Sequence, residues 1–263
     1  MKTVTEHDEF KAECLAEVRQ QGADATLKEL TGKWIAKATE HKYCYHFEWL
    51  GRPVIQYPQD LIGVQQLLWT VQPDLIVETG IARGGSLIFY ASILELIAQC
   101  GGNQNAKILG IDIDIRAHNR EAILAHPMAK RIEMIQGSSV AKETIAQVQN
   151  FATMYKKILV CLDSNHTHSH VLEELKLYAP LVSRGSYCVV FDTIVEDLPE
   201  NSGPNRPWGK TDNPKTAVWE YLKLVEKLAP LAHDGAPLRL VIDRQIENQL
   251  LITVAPDGFL RRE

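Results

Sequence analysis

The chain has 263 residues, of which 45% are hydrophobic and 23% charged, the proportions of an ordinary globular protein. This length accommodates one large α/β domain or a domain with an appendage, and the composition excludes collagen-like, disordered and disulfide-stapled chains. Lys and Arg number 28 against 33 Asp and Glu, a formal charge of −5 with no basic block, which excludes a dedicated nucleic-acid binder because phosphate neutralisation needs clustered cations.

The stretch MKTVTEHDEFKAE at the start is charged and has no apolar run, so no signal peptide is expected. The region 1–70 reads as a helical arm packed on the rest. It carries an aromatic cluster of Trp34, Tyr43, Tyr45, Phe47, Trp49 and Tyr57, interrupted by Pro53 and Pro58. Such aromatics cover a core or form a contact between copies, so a homo-oligomer is the expectation. Cys14, Cys44, Cys100, Cys161 and Cys188 are widely spaced and odd in number, which predicts reduced thiols in a cytoplasmic protein.

From Pro73 the chain alternates strand and helix signals. Strands are expected at 75–78, 108–112, 132–135, 158–162 and 187–191, with helices between them, as at 86–98 and 171–178. Continuous apolar strands alternating with helices imply a mostly parallel sheet covered on both faces. The longest apolar stretch, 87–98, is interrupted by Glu95 and is too short to span a bilayer, so no membrane partner is expected. Near the C-terminus, 238–242 and 250–254 read as two strands separated by seven residues. A parallel crossover needs a dozen or more, so these two pair antiparallel or lie apart. One reversed terminal strand on a parallel sheet favours a methyltransferase-type, Rossmann-like α/β fold of seven strands over residues 71–263. The stretch 192–213 contains Pro199, Gly203, Pro204, Pro207 and Gly209 and follows the fifth strand, where a lid or substrate loop belongs.

Three turns carry the cofactor signal. The first strand runs into Glu78-Thr79-Gly80-Ile81-Ala82-Arg83-Gly84-Gly85-Ser86. This E-x-G-x-x-x-G pattern differs from the G-x-G-x-x-G that cradles a pyrophosphate. An acid at the strand end suits a cationic cofactor such as S-adenosylmethionine, glycines let it approach the backbone, and Ser86 can cap the next helix or touch the cofactor carboxylate. Asp112, with Asp114 as its neighbour, sits at the second strand's tip and can accept both ribose hydroxyls. Ser138, in the turn after the third strand, falls where adenine would sit.

The chemical signal lies after strands four and five. Asp163 ends the fourth strand and Asp192 follows the fifth, and in a doubly wound sheet the two tips converge. Two unpaired carboxylates in one volume call for a hard divalent cation, Mg²⁺, with Thr193 as a possible neutral oxygen. His166, three residues beyond Asp163, can take a proton from a bound hydroxyl. His168 and His170 read as polar residues at a helix start, and the H-T-H-S-H spacing fits no usual zinc signature.

The segments 49–60 (WLGRPVIQYPQD), 78–86 (ETGIARGGS), 110–116 (GIDIDIR), 162–168 (LDSNHTH) and 213–219 (NPKTAVW) resemble the cephalosporin hydroxylase family of S-adenosylmethionine-dependent class I O-methyltransferases, related to macrolide-sugar O-methyltransferases. The resemblance runs from about Tyr43 to Leu222. It implies a Mg²⁺-dependent O-methyltransferase acting on a hydroxyl of a sugar or secondary metabolite. It implies Glu78, Gly80, Ser86 and Asp112 at the cofactor, Asp163 and Asp192 at the metal, and His166 as the base; the residues themselves add Gly84, Ser138 and Asp163 to the expected cofactor set and Thr193 to the metal. The sugar-modifying relatives carry a Glu-Asp pair after strand five, where this chain has Phe191 before Asp192. That departure removes one carboxylate, for which Thr193, water or Glu196 could compensate. Two rival readings follow. One is a non-haem iron hydroxylase using Asp163, His166 and His168, which the adenosylmethionine-type turn opposes. The other is a cofactor-binding accessory protein without turnover, which Phe191 favours.

Overall fold

The structure, a computed structural model, describes residues 5–200 and 205–263. Two helices open the chain, α1 (Glu6–Ala23) and α2 (Ala25–Glu40). Thr5 starts α1 through a reciprocal capping box with Asp8, and Asp24 caps α2 by accepting from the Leu27 amide. Only Gly22 of α1 and Ile35 of α2 are buried, so both helices stand largely outside the core. A two-stranded hairpin follows, β1 (Phe47–Trp49) and β2 (Arg52–Val54). Leu50 and Gly51 both take positive φ at its tip, as a two-residue turn between twisted strands requires. Trp49 fixes the hairpin to the main body by stacking edge-on against Phe89 and donating Nε1–H to Ser92 Oγ at 2.9 Å.

The helix α3 (Pro58–Val71), with Pro58 in its first turn, leads into the sheet strands β3 (Leu75–Thr79), β4 (Lys107–Asp112), β5 (Ile132–Gln136), β6 (Ile158–Leu162), β7 (Tyr187–Val190), β8 (Leu240–Ile242) and β9 (Phe259–Arg262). The connecting helices are α4 (Gly85–Gln99), α5 (Ala117–Leu124), α6 (Lys142–Ala152), α7 (His168–Tyr178), α8 (Pro214–Leu228) and α9 (Arg244–Leu250). The seven strands lie in the order β5-β4-β3-β6-β7-β9-β8, parallel except for β9, which runs antiparallel to both neighbours. This is the Rossmann-like sheet with one reversed strand that the alternation predicts.

Every residue of β3, β6 and β7 is buried, because helices cover both faces. One core layer joins the sheet to α3 and α4 through residues such as Leu68, Leu87 and Phe89, and the other joins it to α6, α7 and α8 through Val148, Leu175 and Val218. The chain leaves β3 toward β4 on one side and later returns to its other side as β6. A ligand crevice therefore opens at the carboxyl ends of β3, β4, β6 and β7. Among the described residues no helix is long and apolar enough to cross a membrane.

One expected strand is corrected. Residues 250–254 do not pair in the sheet. Leu250 ends α9, Leu251 has φ +57°, and Ile252 packs against the core. Thr253 and Val254 then dock on α3, where Thr253 Oγ1 and the Val254 amide donate to the buried carboxylate of Asp60 at 2.5 and 2.9 Å. The apolar run serves a helix end and a docking segment, and the partner of β8 comes later, at β9. Of the expected loop at 192–213, residues 193–196 form a short 3-10 turn, and Gly203 and Pro204 lie outside the described residues.

Candidate active site

The turn after β3 is shaped by glycine. Gly80 has φ +90°, and a Cβ there would lie 2.0 Å from the Asp163 carbonyl oxygen. A Cβ on Gly85 would lie 2.1 Å from the Pro53 carbonyl oxygen, so the β1–β2 hairpin presses on the turn from the other side. Arg52 donates to the Arg83 carbonyl and to Asn119 Oδ1, and Asn119 Nδ2 donates to the Ala82 carbonyl at 3.0 Å. The turn is held between the hairpin and α5.

Glu78 lies under this turn, 1% exposed, and accepts from Ser86 Oγ at 2.7 Å and Tyr90 OH at 2.9 Å. Burial pushes its carboxyl up to about 8, although the two hydroxyl bonds pull it down. Ser86 is not the expected cap. The N-cap of α4 is Gly84, in a left-handed conformation, and the Ser86 hydroxyl is engaged by Glu78. Asp112 Oδ2 accepts from the amides of Ile81 and Ala82 at 2.8 and 3.2 Å, and Oδ1 from the Asp114 amide at 3.0 Å, so this carboxylate also shapes the turn. The Ser138 carbonyl accepts from Ala141 N at 3.0 Å in the turn after β5.

Asp163 at the tip of β6, His166 beyond it and Asp192 after β7 come together, with ligand atoms all within 4.8 Å of one another. Asp192 reaches this point with φ +54°, and its Oδ2 is 3.0 Å from His166 Nε2. Asp163 Oδ2 accepts from Gln56 Nε2 at 3.2 Å. Burial first, then the charges of Asp192, Glu78 and Glu174, hold the Asp163 carboxyl well above the usual carboxylate range. Two carboxylates and an imidazole, with no Lys or Arg bonded to them among the described residues, form a donor set that fits a divalent cation.

The loop after β7 covers this group. The Trp208 ring stands edge-on to His166 at 4.7 Å, Arg206 lies over Trp208 at 5.1 Å, and Arg206 Nη2 donates to Tyr45 OH at 3.3 Å. Two expectations for neighbouring oxygens change. Thr193 is fully buried and donates its hydroxyl hydrogen to the Pro256 carbonyl at 2.6 Å, so it pins the strand end to the C-terminal segment. Glu196 accepts from the Thr211 amide and Asn213 Nδ2, which closes the base of the loop. Phe191 is 2% exposed and belongs to the core.

His168 and His170 are structural. His168 bridges α7 to α8 through Thr216 Oγ1 at 2.8 Å and Glu220 Oε2 at 3.1 Å. His170 meets Ser139 Oγ, Ser164 Oγ and Glu174 at 3.1 to 3.4 Å. Gln56, Tyr90 and Asn119 also contact the site residues, and no strand-end motif includes them. Tyr90 carried a signal, since it follows Ser86 by four residues on one helix and so faces the same carboxylate.

A family model described as Rhamnosyl O-methyltransferase/CmcI matches residues 41–263. A rhamnosyl O-methyltransferase of Mycobacterium bovis is 32% identical over 207 residues, 77% of this chain and 73% of its own length. One of Mycobacterium leprae is 30% identical over 154 residues, 57% of this chain and 62% of its own. Among solved structures, a CmcI structure with Mg and SAM gives a TM-score of 0.54 at 20% identity, covering 83% of this chain and 77% of its own. A CmcI apo-structure gives the same score and identity, covering 83% and 76%. These two likenesses establish the fold.

Proposed function

The chain belongs to the Rhamnosyl O-methyltransferase/CmcI family, and we propose that it transfers a methyl group from S-adenosylmethionine to a hydroxyl of a sugar or another small molecule, with Mg²⁺ in the acid site. The observation that carries this reading is the contact between the two halves of the site. The glycine turn and the Asp163 backbone touch at Gly80, so the expected cofactor cradle and the Asp163–His166–Asp192 group share a wall.

The residues fit both absent groups. Glu78, Asp112 and Asp163 surround the cradle with carboxylates, which suits an ammonium and a sulfonium and opposes a pyrophosphate. Gly80 and Gly84 let the turn close against the Asp163 backbone and Ile123, Ser86 lies beside Glu78, and Asp112 keeps lone pairs for ribose. Asp163 and Asp192 would hold the cation, and Thr193 backs the strand end beside it. When bound, the cofactor supplies an electrophilic methyl group and the cation lowers the pKa of an acceptor hydroxyl.

The chain's own residues then do three things. His166 takes the acceptor proton on Nδ1, its other ring nitrogen, while Nε2 faces Asp192 Oδ2 at 3.0 Å and that carboxylate stabilises the resulting imidazolium. Trp208 and Arg206 exclude water over the site and offer a ring face to the acceptor. The rigid turn holds donor and acceptor in line. The free cysteines suit a reducing, cytoplasmic setting. The exposed Phe10, Leu30 and Trp34 of the arm offer a contact for a second copy.

Calorimetric titration with S-adenosylmethionine, S-adenosylhomocysteine and NAD⁺, each with and without Mg²⁺, tests this reading, followed by methyl transfer to rhamnosyl acceptors. Micromolar binding of the adenosyl ligands with NAD⁺ silent is expected. No adenosyl binding would overturn the proposal. The accessory-protein reading, which Phe191 favours, requires tight cofactor binding with no turnover on any acceptor.

A further inference from the structure

Gln56 lies in the short link between β2 and α3 and is only 6% exposed. Its two amide atoms have different fates. Nε2 donates to Asp163 Oδ2 at 3.2 Å, whereas Oε1 is buried and has no hydrogen-bond partner among the described residues. A buried acceptor left without a donor destabilises the fold and calls for an explanation.

Among the described residues no neighbour donates to this oxygen. Gln56 lines a small space of about 10 Å³ with Asp60, Ser86, Tyr90 and Phe191. The Ser86 and Tyr90 hydroxyls already donate to Glu78, both Asp60 oxygens accept from Thr253 and Val254, and Phe191 has nothing to give. The space is at the lower limit for a single water. A ligand that brings a donor here brings it among acids. Glu78 lies beyond Ser86 and Tyr90, and Asp163 lies on the other side of the amide. A cationic group with several N–H donors fits such a place, and a hydroxyl with one donor fits it less well.

We propose that Gln56 is a cofactor-binding residue supplied by the N-terminal part of the chain. Its Oε1 accepts a hydrogen bond from the α-ammonium of the adenosyl cofactor, while its Nε2 holds Asp163 with one oxygen turned away. The inference rests on the methyltransferase reading. It adds a residue outside the strand-end turns and names the cofactor atom that residue recognises.

The test is calorimetry on the full chain in the presence of EDTA, with S-adenosylhomocysteine and an analogue in which hydrogen replaces the α-amino group. Wild type is expected to prefer the amino ligand by at least about tenfold. Gln56→Met keeps the length of the side chain and removes its oxygen. It is expected to lose at least about tenfold in affinity for S-adenosylhomocysteine and less than about threefold for the analogue. Gln56→Glu restores an acceptor oxygen and is expected to keep the preference, which guards against a folding defect. If Gln56→Met keeps the wild-type preference, or weakens both ligands equally, the inference is overturned while the methyltransferase reading stands. If wild type binds neither ligand, the methyltransferase reading falls and takes the inference with it.

Discussion

His166 Nε2 and Asp192 Oδ2 are 3.0 Å apart, although the two residues come from the tips of different strands. A carboxylate in that position orients the imidazole and stabilises its charged form. His166→Gln is therefore expected to lower kcat by about 10²- to 10⁴-fold. The affinity for S-adenosylhomocysteine should change by less than about threefold, because the imidazole's contacts are with Asp192 and Trp208. Steady-state kinetics beside calorimetry checks this, and an unchanged kcat would remove His166 from the role of base.

Asp192→Asn keeps the shape of the side chain and removes a charge. The expected outcome is a rise of about tenfold or more in the Mg²⁺ concentration needed for half-maximal activity, with cofactor affinity in EDTA unchanged. Asp163→Asn should impair both, since Asp163 adjoins Gly80 as well as Asp192. Metal titrations of the two variants separate these patterns.

Two buried acids make the ligand-free protein sensitive to pH. Burial raises Glu78 from 4.5 to about 8 and Asp60 from 3.8 to about 7. Both hold a proton in the folded state that the unfolded chain gives up sooner. Their contribution to stability is thus full below about pH 4 and is lost as pH rises through about 7 and about 8. The slope reaches at most about 1.4 kcal/mol per pH unit for each group. Urea unfolding of wild type and Glu78→Gln between pH 5 and 9 (about four points) reads this, and the variant should show the flatter profile. Identical profiles would mean that Glu78 titrates normally.

Trp208 sits on the loop, edge-on to His166. Trp208→Ala removes the ring and leaves the cradle intact. The expected result is a rise of about tenfold in KM for the acceptor with an unchanged Kd for S-adenosylhomocysteine. A change confined to cofactor affinity would place the ring in a different role.

Much of this fold could be read directly from the residues. β3, β6 and β7 are buried on both faces and so appear as unbroken apolar runs, and the acids at their ends mark the crevice. Residues 250–254 show the limit of that signal. An apolar run tells of burial, and here the burial is against α3 and the core instead of inside the sheet. The site followed the same division. Asp163, His166 and Asp192 lie on strand ends, where topology alone brings them together. Gln56 reaches Asp163 across 107 positions of sequence, through a link whose path depends on how the hairpin packs. Thr193 was placed by its neighbour in the chain, but the conformation of Asp192 at φ +54° turns the backbone between them, and the hydroxyl meets Pro256.

The order of strands also bears on how the chain assembles during synthesis. β8 is hydrogen-bonded to β9 alone, and β9 lies between β8 and β7. When residues 240–242 leave the ribosome their native partner strand has not yet been made, and they must wait for residues 259–262 to be inserted first. Until then β7 presents a free edge beside Asp192, so a nascent chain halted between these strands would expose an aggregation-prone border.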